Sequence, residues 1–156
     1  MKLDIKKFPN KILRKKASRL EKVSDSDRAM LRDMAETMYL NKGVGLAAVQ
    51  VGIDKQLAVI DVGKGLVKVV NPVILTKEGK VIEEEGCLSV PDTTVMVKRS
   101  ERITVGFLNE NGDVSQITAE GLFARAIQHE IDHLYGRLII DYMSPVKKLF
   151  FLTKYR

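Results

Sequence analysis

Both histidines of the chain fall in one short run, Gln128-His129-Glu130-Ile131-Asp132-His133-Leu134-Tyr135-Gly136. On a helix, His129 and His133 share a face with Cβ atoms about 5–6 Å apart, so both rings reach one metal ion. Glu130 stands about 100° further round the helix. From the edge of that face it can take a proton from water on the metal without being a ligand. The competing interpretation is a buried helix carrying two satisfied histidines.

Two histidines are half a metal site, because a catalytic centre usually takes three protein ligands and leaves one position for water. The run extends to Gly136 in the manner of a metzincin protease, but the position where that pattern places its next ligand is Ile139. No Glu or His follows His133, and Asp141 is the only downstream carboxylate, a weak third ligand. Upstream, the single cysteine lies in Glu85-Gly86-Cys87-Leu88-Ser89. A lone cysteine is often a small buried hydrophobe. Beside two histidines in metal spacing, however, Cys87 is the expected third ligand, giving a Cys87-His129-His133 set whose donor chemistry suits zinc.

These residues need elements to hold them. Ser24 or Asp25 is a good N-cap for a first helix, with Met30, Leu31, Met34, Ala35 and Met38 as its apolar stripe and Asn41-Lys42-Gly43 as its stop. Gly43-Val44-Gly45-Leu46-Ala47-Ala48-Val49-Gln50 formally matches a dinucleotide fingerprint, but that motif follows a strand and here a helix precedes it. The segment is better read as a glycine-permitted backbone excursion ending in Gln50. That side chain is either a buried structural amide or a donor aimed into a cleft.

Strands are expected at Leu57–Val62 and Leu66–Val70, the second ended by Asn71-Pro72, then at Val73–Thr76, Lys80–Glu84 and Val95–Lys98. Ile103–Asn109 and Val114–Glu120 form a hairpin across Glu110-Asn111-Gly112-Asp113. Gly121 opens the helix that carries both histidines, and Gly136 closes it after about Tyr135. Ser144-Pro145 starts a short terminal helix. The expected fold is α+β: mainly antiparallel strands packed around one long helix, with an N-terminal and a short C-terminal helix, all in one catalytic domain over residues 1–156.

Composition excludes several classes. A hydrophobic fraction of 45% and a charged fraction of 29% are ordinary for a soluble domain. No apolar run approaches the roughly 20 residues of a membrane helix. No apolar segment follows the N-terminal lysines, so no signal peptide is expected. One cysteine allows no internal disulfide, which suits a reducing cytoplasm. Residues 1–20 hold eight Lys/Arg against Asp4, a net of +7, and residues 147–156 add four more cations. With +6 in total, residues 21–146 carry −5. Basic ends of this kind contact RNA, or simply form a solvated surface.

Three segments together, Gly43–Gln50, Glu85–Ser89 and Gln128–Gly136, resemble the signature motifs of peptide deformylases, in that family's order and with similar spacing across essentially the whole chain. The resemblance implies removal of the formyl group from the N-terminal formyl-methionine of new proteins, with release of formate. It implies one divalent metal on Cys87, His129 and His133, with Glu130 as proton carrier. Ferrous iron is expected in the cell, and Zn2+, Ni2+ or Co2+ in a purified sample. The Gln50 side-chain amide and the Leu88 backbone N–H become the oxyanion donors. Val44 and Gly45 from the glycine-rich loop, with Leu122 and Ala126 two turns and one turn before His129, become the methionine pocket. Arg125 lies beside that face. The partners implied are formyl-methionyl nascent peptides and, through the basic ends, the ribosome near its exit, with no membrane and no DNA. Against this stand an HExxH metallopeptidase cutting internal bonds, and a non-catalytic, metal-stabilised RNA-binding module.

Overall fold

In strand β2 (Leu57–Ile60), alternate side chains are buried to opposite sides, and this separates the two principal helices of the fold. Leu57 and Val59 face helix α1 (Asp25–Leu40), whose Leu31, Met34, Ala35 and Met38 complete one apolar cluster. Ala58 and Ile60 face helix α2 (Gly121–Leu134), which contributes Ala124, Ala126 and Ile127 to a second. The computed structural model describes residues 1–155. Arg156, the last residue of the basic tail, lies outside the described residues.

Helix α1 begins as its sequence requires. The Ser24 hydroxyl accepts from Asp27 N, and the Asp27 carboxylate accepts from Ser24 N, a reciprocal capping box. Strand β1 (Gly45–Ala47) pairs antiparallel with β2 and leads into a 3-10 turn, Ala48–Val51. The five-stranded antiparallel sheet then runs in the order β1-β2-β3-β6-β7, with β3 Val67–Glu78, β6 Arg102–Leu108 and β7 Val114–Glu120. Strands β4 (Val81–Cys87) and β5 (Val90–Arg99) form a separate two-stranded sheet. Helix α2 runs between the two sheets, so residues on its opposite sides reach both. The predicted α+β class is observed, divided into two sheets.

Three strand boundaries are corrected. Asn71-Pro72 does not end a strand: β3 continues through it with shifted register between Val70 and Val73. Asn71 takes a left-handed φ of 52°, and its side-chain amide both accepts from Leu20 N and donates to Leu20 O. The lost ladder bonds are thus replaced by a tertiary partner. The β6–β7 hairpin has a three-residue loop, 110–112, closed between Asn109 and Asp113, with Gly112 alone at positive φ. The hairpin expected across Glu110–Asp113 is thus observed, in the bulged three-residue form. The strand expected at Val95–Lys98 begins at Val90, and the one expected to end at Glu84 continues to Cys87.

A third cluster joins β5 to the ends of the chain: Val90, Val95 and Val97 pack with Leu13, Leu138, Ile139, Ile140 and Phe151. Phe151 belongs to helix α3 (Pro145–Thr153), capped by Ser144. Gly136 ends the α2 segment at φ 77°, where a Cβ would stand 2.4 Å from the Arg14 carbonyl oxygen. No helix among the described residues is long and apolar enough to cross a membrane.

Candidate metal centre and its cleft

Strand β4 delivers Cys87 at its last position, and α2 delivers His129 and His133 one turn apart on the face turned towards it. The Cys87 Sγ lies 3.3 Å from His133 Nε2, which lies 3.2 Å from His129 Nε2. One ligand atom from each of the three residues lies within 4.8 Å of the others. One sulfur and two imidazole nitrogens turned towards a common point suit a borderline divalent ion. The residues therefore fit a metal by donor type and by spacing. Asp141, the weak alternative, is elsewhere: Arg14 donates to both its carboxylate oxygens, and Lys148 and Leu138 N bind it too.

The other nitrogen of His129, Nδ1, is 2.9 Å from Glu85 Oε1. This hydrogen bond holds the ring so that Nε2 faces Cys87 and His133. Glu85 is buried and is itself gripped by Arg99, through Nε at 2.9 Å and Nη2 at 2.8 Å, and by Arg125 Nη1. Burial pushes the Glu85 carboxyl up, but the hydrogen bonds from Arg99 and His129 outweigh it and hold the group down at about 2. Arg99 also donates to Asp132 Oδ2 at 2.5 Å, which accepts from the Tyr142 hydroxyl at 2.6 Å. Arg125 donates to the carbonyls of Val97 at 2.9 Å and Val81 at 2.7 Å, tying α2 to both strands of the smaller sheet. Burial draws His133 well below the usual imidazole range, and the neighbouring His129 adds to the effect.

Glu130 lies beside these donors in an almost dry position, 4% exposed, and its Oε1 has no hydrogen-bond partner. Burial pushes its carboxyl up to about 7. A Cβ at Gly45 would stand 2.3 Å from Glu130 Oε2, so a glycine is required where β1 passes the carboxylate. Two turns of chain converge opposite. Gln50 Oε1 accepts from Ala47 N at 2.9 Å, which orients its amide so that Nε2 donates to Ser89 Oγ at 3.1 Å and faces Cys87 Sγ at 3.7 Å. Leu88 follows Cys87 in the turn between β4 and β5. The N-terminal segment holds both loops: Lys6 N donates to Gln50 O at 2.6 Å, and Phe8 N to Ser89 O at 2.8 Å.

A cleft of about 890 Å³ opens over this group, and Cys87, His129, Glu130 and Gln50 all line it. Val44, Gly45, Leu88 and Leu122 form apolar parts of its wall, with Val44 and Leu122 about half exposed. Leu3 and Ile5 also line it. Ala126 does not. It sits in the core with Ala58, Ile60 and Ile103, because three residues of helix before His129 turn it towards the large sheet. The parts of Glu85, Arg99, Ser89 and Leu3 at the site are not among the roles that the sequence implies. Glu85 and Ser89 stood within the Cys87 motif; Arg99 and Leu3 left no local signal.

The sequence profile of the family described as polypeptide deformylase matches residues 2–149. The chain belongs to this family. A peptide deformylase of Thermodesulfovibrio yellowstonii is 45% identical over 99% of this chain and 96% of its own length. The crystal structure of peptide deformylase from Ehrlichia chaffeensis in complex with actinonin superposes with a TM-score of 0.95 at 40% identity, covering 99% of this chain and 95% of that one. A peptide deformylase from Legionella pneumophila gives 0.93 at 41%, over the same shares. The chain is accordingly a metal-dependent peptide deformylase, a hydrolase that removes the N-terminal formyl group from newly synthesised proteins. These matches favour neither an internal-bond metallopeptidase nor an RNA-binding module.

Proposed function

We propose that Cys87 Sγ, His129 Nε2 and His133 Nε2 hold the deformylase metal, with Glu130 as the proton carrier. The observation that carries this is the convergence of three ligand atoms from β4 and α2 beside a buried carboxylate with an unpartnered oxygen. A divalent ion held there supplies Lewis acidity, polarising the formyl carbonyl and acidifying water. Glu130 accepts the proton as water oxygen bonds to the formyl carbon, then delivers it to the departing amine nitrogen as the C–N bond breaks. Formate and a free amino terminus result.

The developing oxyanion is met by the Gln50 side-chain amide and the Leu88 backbone N–H. Gln50 is oriented in advance by Ala47 N, with its Nε2 turned towards the Cys87 side of the cleft. The methionine side chain lies against Val44, Gly45, Leu88 and Leu122, the apolar wall nearest the ligands. Burying such a side chain is worth about 1.5–3 kcal/mol. The whole of residues 1–156 acts as one catalytic domain in the cytoplasm, with ferrous iron as the metal in the cell and Zn2+, Ni2+ or Co2+ able to take its place after purification. The basic ends dock the enzyme near the ribosomal exit, where formylated chains emerge.

The test is hydrolysis of formyl-Met-Ala by protein loaded anaerobically with iron, beside a blocked but unformylated peptide. Formate release from the first with the second left intact is expected. Cleavage of the blocked peptide would contradict it.

A further inference from the structure

On the far side of α2 from the cleft lies a second cavity of about 250 Å³ that the deformylation reaction does not use. Lys77 of β3, Lys80 before β4, Lys98 of β5 and Arg137 after α2 all line it. None of these four makes an ion pair among the described residues. The other polar groups that line the cavity are already engaged within the fold, and its one carboxylate, Asp132, is paired with Arg99. Asp132 accepts from Arg99 and Tyr142, and the Gln128 amide is bonded to Ser100 N, Ser100 O and Ala124 O. What the cavity has left to offer is positive charge and spare N–H donors. Its complement is an anion with several acceptor oxygens.

The cationic surface continues beyond the cavity. Arg137 lies 5.0 Å from the Tyr142 ring centre, and the exposed Tyr135, two residues before Arg137, has Lys16 5.3 Å from its ring centre. Arg14 donates to the Gly136 carbonyl, which fixes the basic N-terminal segment against the same corner. Cations from four separate parts of the chain, flanked by an exposed aromatic ring, suit a row of linked phosphates better than one isolated ion. We propose that this cavity and the corner at Tyr135–Arg137 bind linked phosphates, those of a single-stranded RNA backbone or of a short polyphosphate. The site is separate from the basic chain ends invoked for docking and from the metal centre.

The test uses the full metal-loaded chain. Binding of a labelled oligouridylate of about 10 nucleotides is followed by fluorescence anisotropy between about 50 and 200 mM salt. Inorganic tripolyphosphate is titrated in parallel. The triple variant Lys77→Gln/Lys98→Gln/Arg137→Gln is compared with Lys147→Gln/Lys148→Gln/Lys154→Gln, which alters the tail alone. Three lost phosphate contacts should weaken strand binding about tenfold or more and reduce the slope of log K against log salt by about 2. Deformylation of formyl-Met-Ala should stay unchanged, which shows that the triple variant is folded. Tripolyphosphate binding that the triple variant loses, with no strand bound, would support the site and make a small polyphosphate its ligand. Wild-type affinity and slope in the triple variant, binding lost only with the tail variant, or no binding of either probe would overturn the proposal.

Discussion

Gly45 and Glu130 are fitted to each other: any side chain at position 45 would begin 2.3 Å from one Glu130 carboxylate oxygen and 2.9 Å from its carboxyl carbon. The glycine of the loop and the carboxylate of the helix therefore share one volume, though 85 positions separate them. Gly45→Ala should displace the carboxylate without unfolding the chain. Its kcat/KM on formyl-Met-Ala is expected to fall by a factor of about 100, the size of effect a misplacement of about 1 Å produces. Metal content should be unchanged. Activity within twofold of wild type would show that Glu130 needs no such fixed position.

Glu85 connects the metal centre to two buried guanidinium groups. In Glu85→Gln the hydrogen bond to His129 Nδ1 becomes a neutral one, and Arg99 and Arg125 lose their shared counter-charge. Metal affinity, measured by competition with a chelator, should weaken by roughly 10–100-fold. Removing one partner of a buried ion pair should also cost on the order of 3–5 kcal/mol of stability. Unaltered metal affinity would mean that Glu85 serves packing alone.

Asp141 provides a pH test that does not involve the metal. Burial pushes its carboxyl up, but the Arg14 guanidinium and the Leu138 N–H outweigh that and hold it at about 2. An unfolded aspartate titrates near about 3.9. The folded value is depressed, so the stabilisation is present above about pH 4 and is lost as pH falls towards 2. Asp141→Asn should be less stable than wild type at pH 7 by on the order of 1–2 kcal/mol in urea unfolding. That difference should shrink as pH falls from about 4 to 2. A difference that stays constant with pH would remove the charge from the explanation.

Local signals were legible and tertiary ones were not. Ser24 as an N-cap, the apolar stripe of α1, and Gly136 after α2 are each readable within a few residues, because caps and helical periodicity are local physics. Cys87, His129 and His133 stood out because few side chains bind metals and the histidine spacing matches one helical turn. The rest depended on partners distant in sequence. β3 passes through Asn71-Pro72 only because Leu20 satisfies the asparagine amide. The support of His129 by Glu85, Arg99 and Arg125 needs β4, β5 and α2 assembled first. Helical proximity to His129 points Ala126 at the cleft. A difference of three residues, not four, turned it to the large sheet instead.

The central claim is that Glu130 moves the proton while Cys87, His129 and His133 hold the metal, and Glu130→Ala separates those two roles directly. Metal stoichiometry and formate release from formyl-Met-Ala should be measured on the same anaerobic preparation. About one metal per chain, as in wild type, is expected, with kcat lower by a factor of roughly 100–10,000. A variant that keeps its metal and deformylates at the wild-type rate would contradict it.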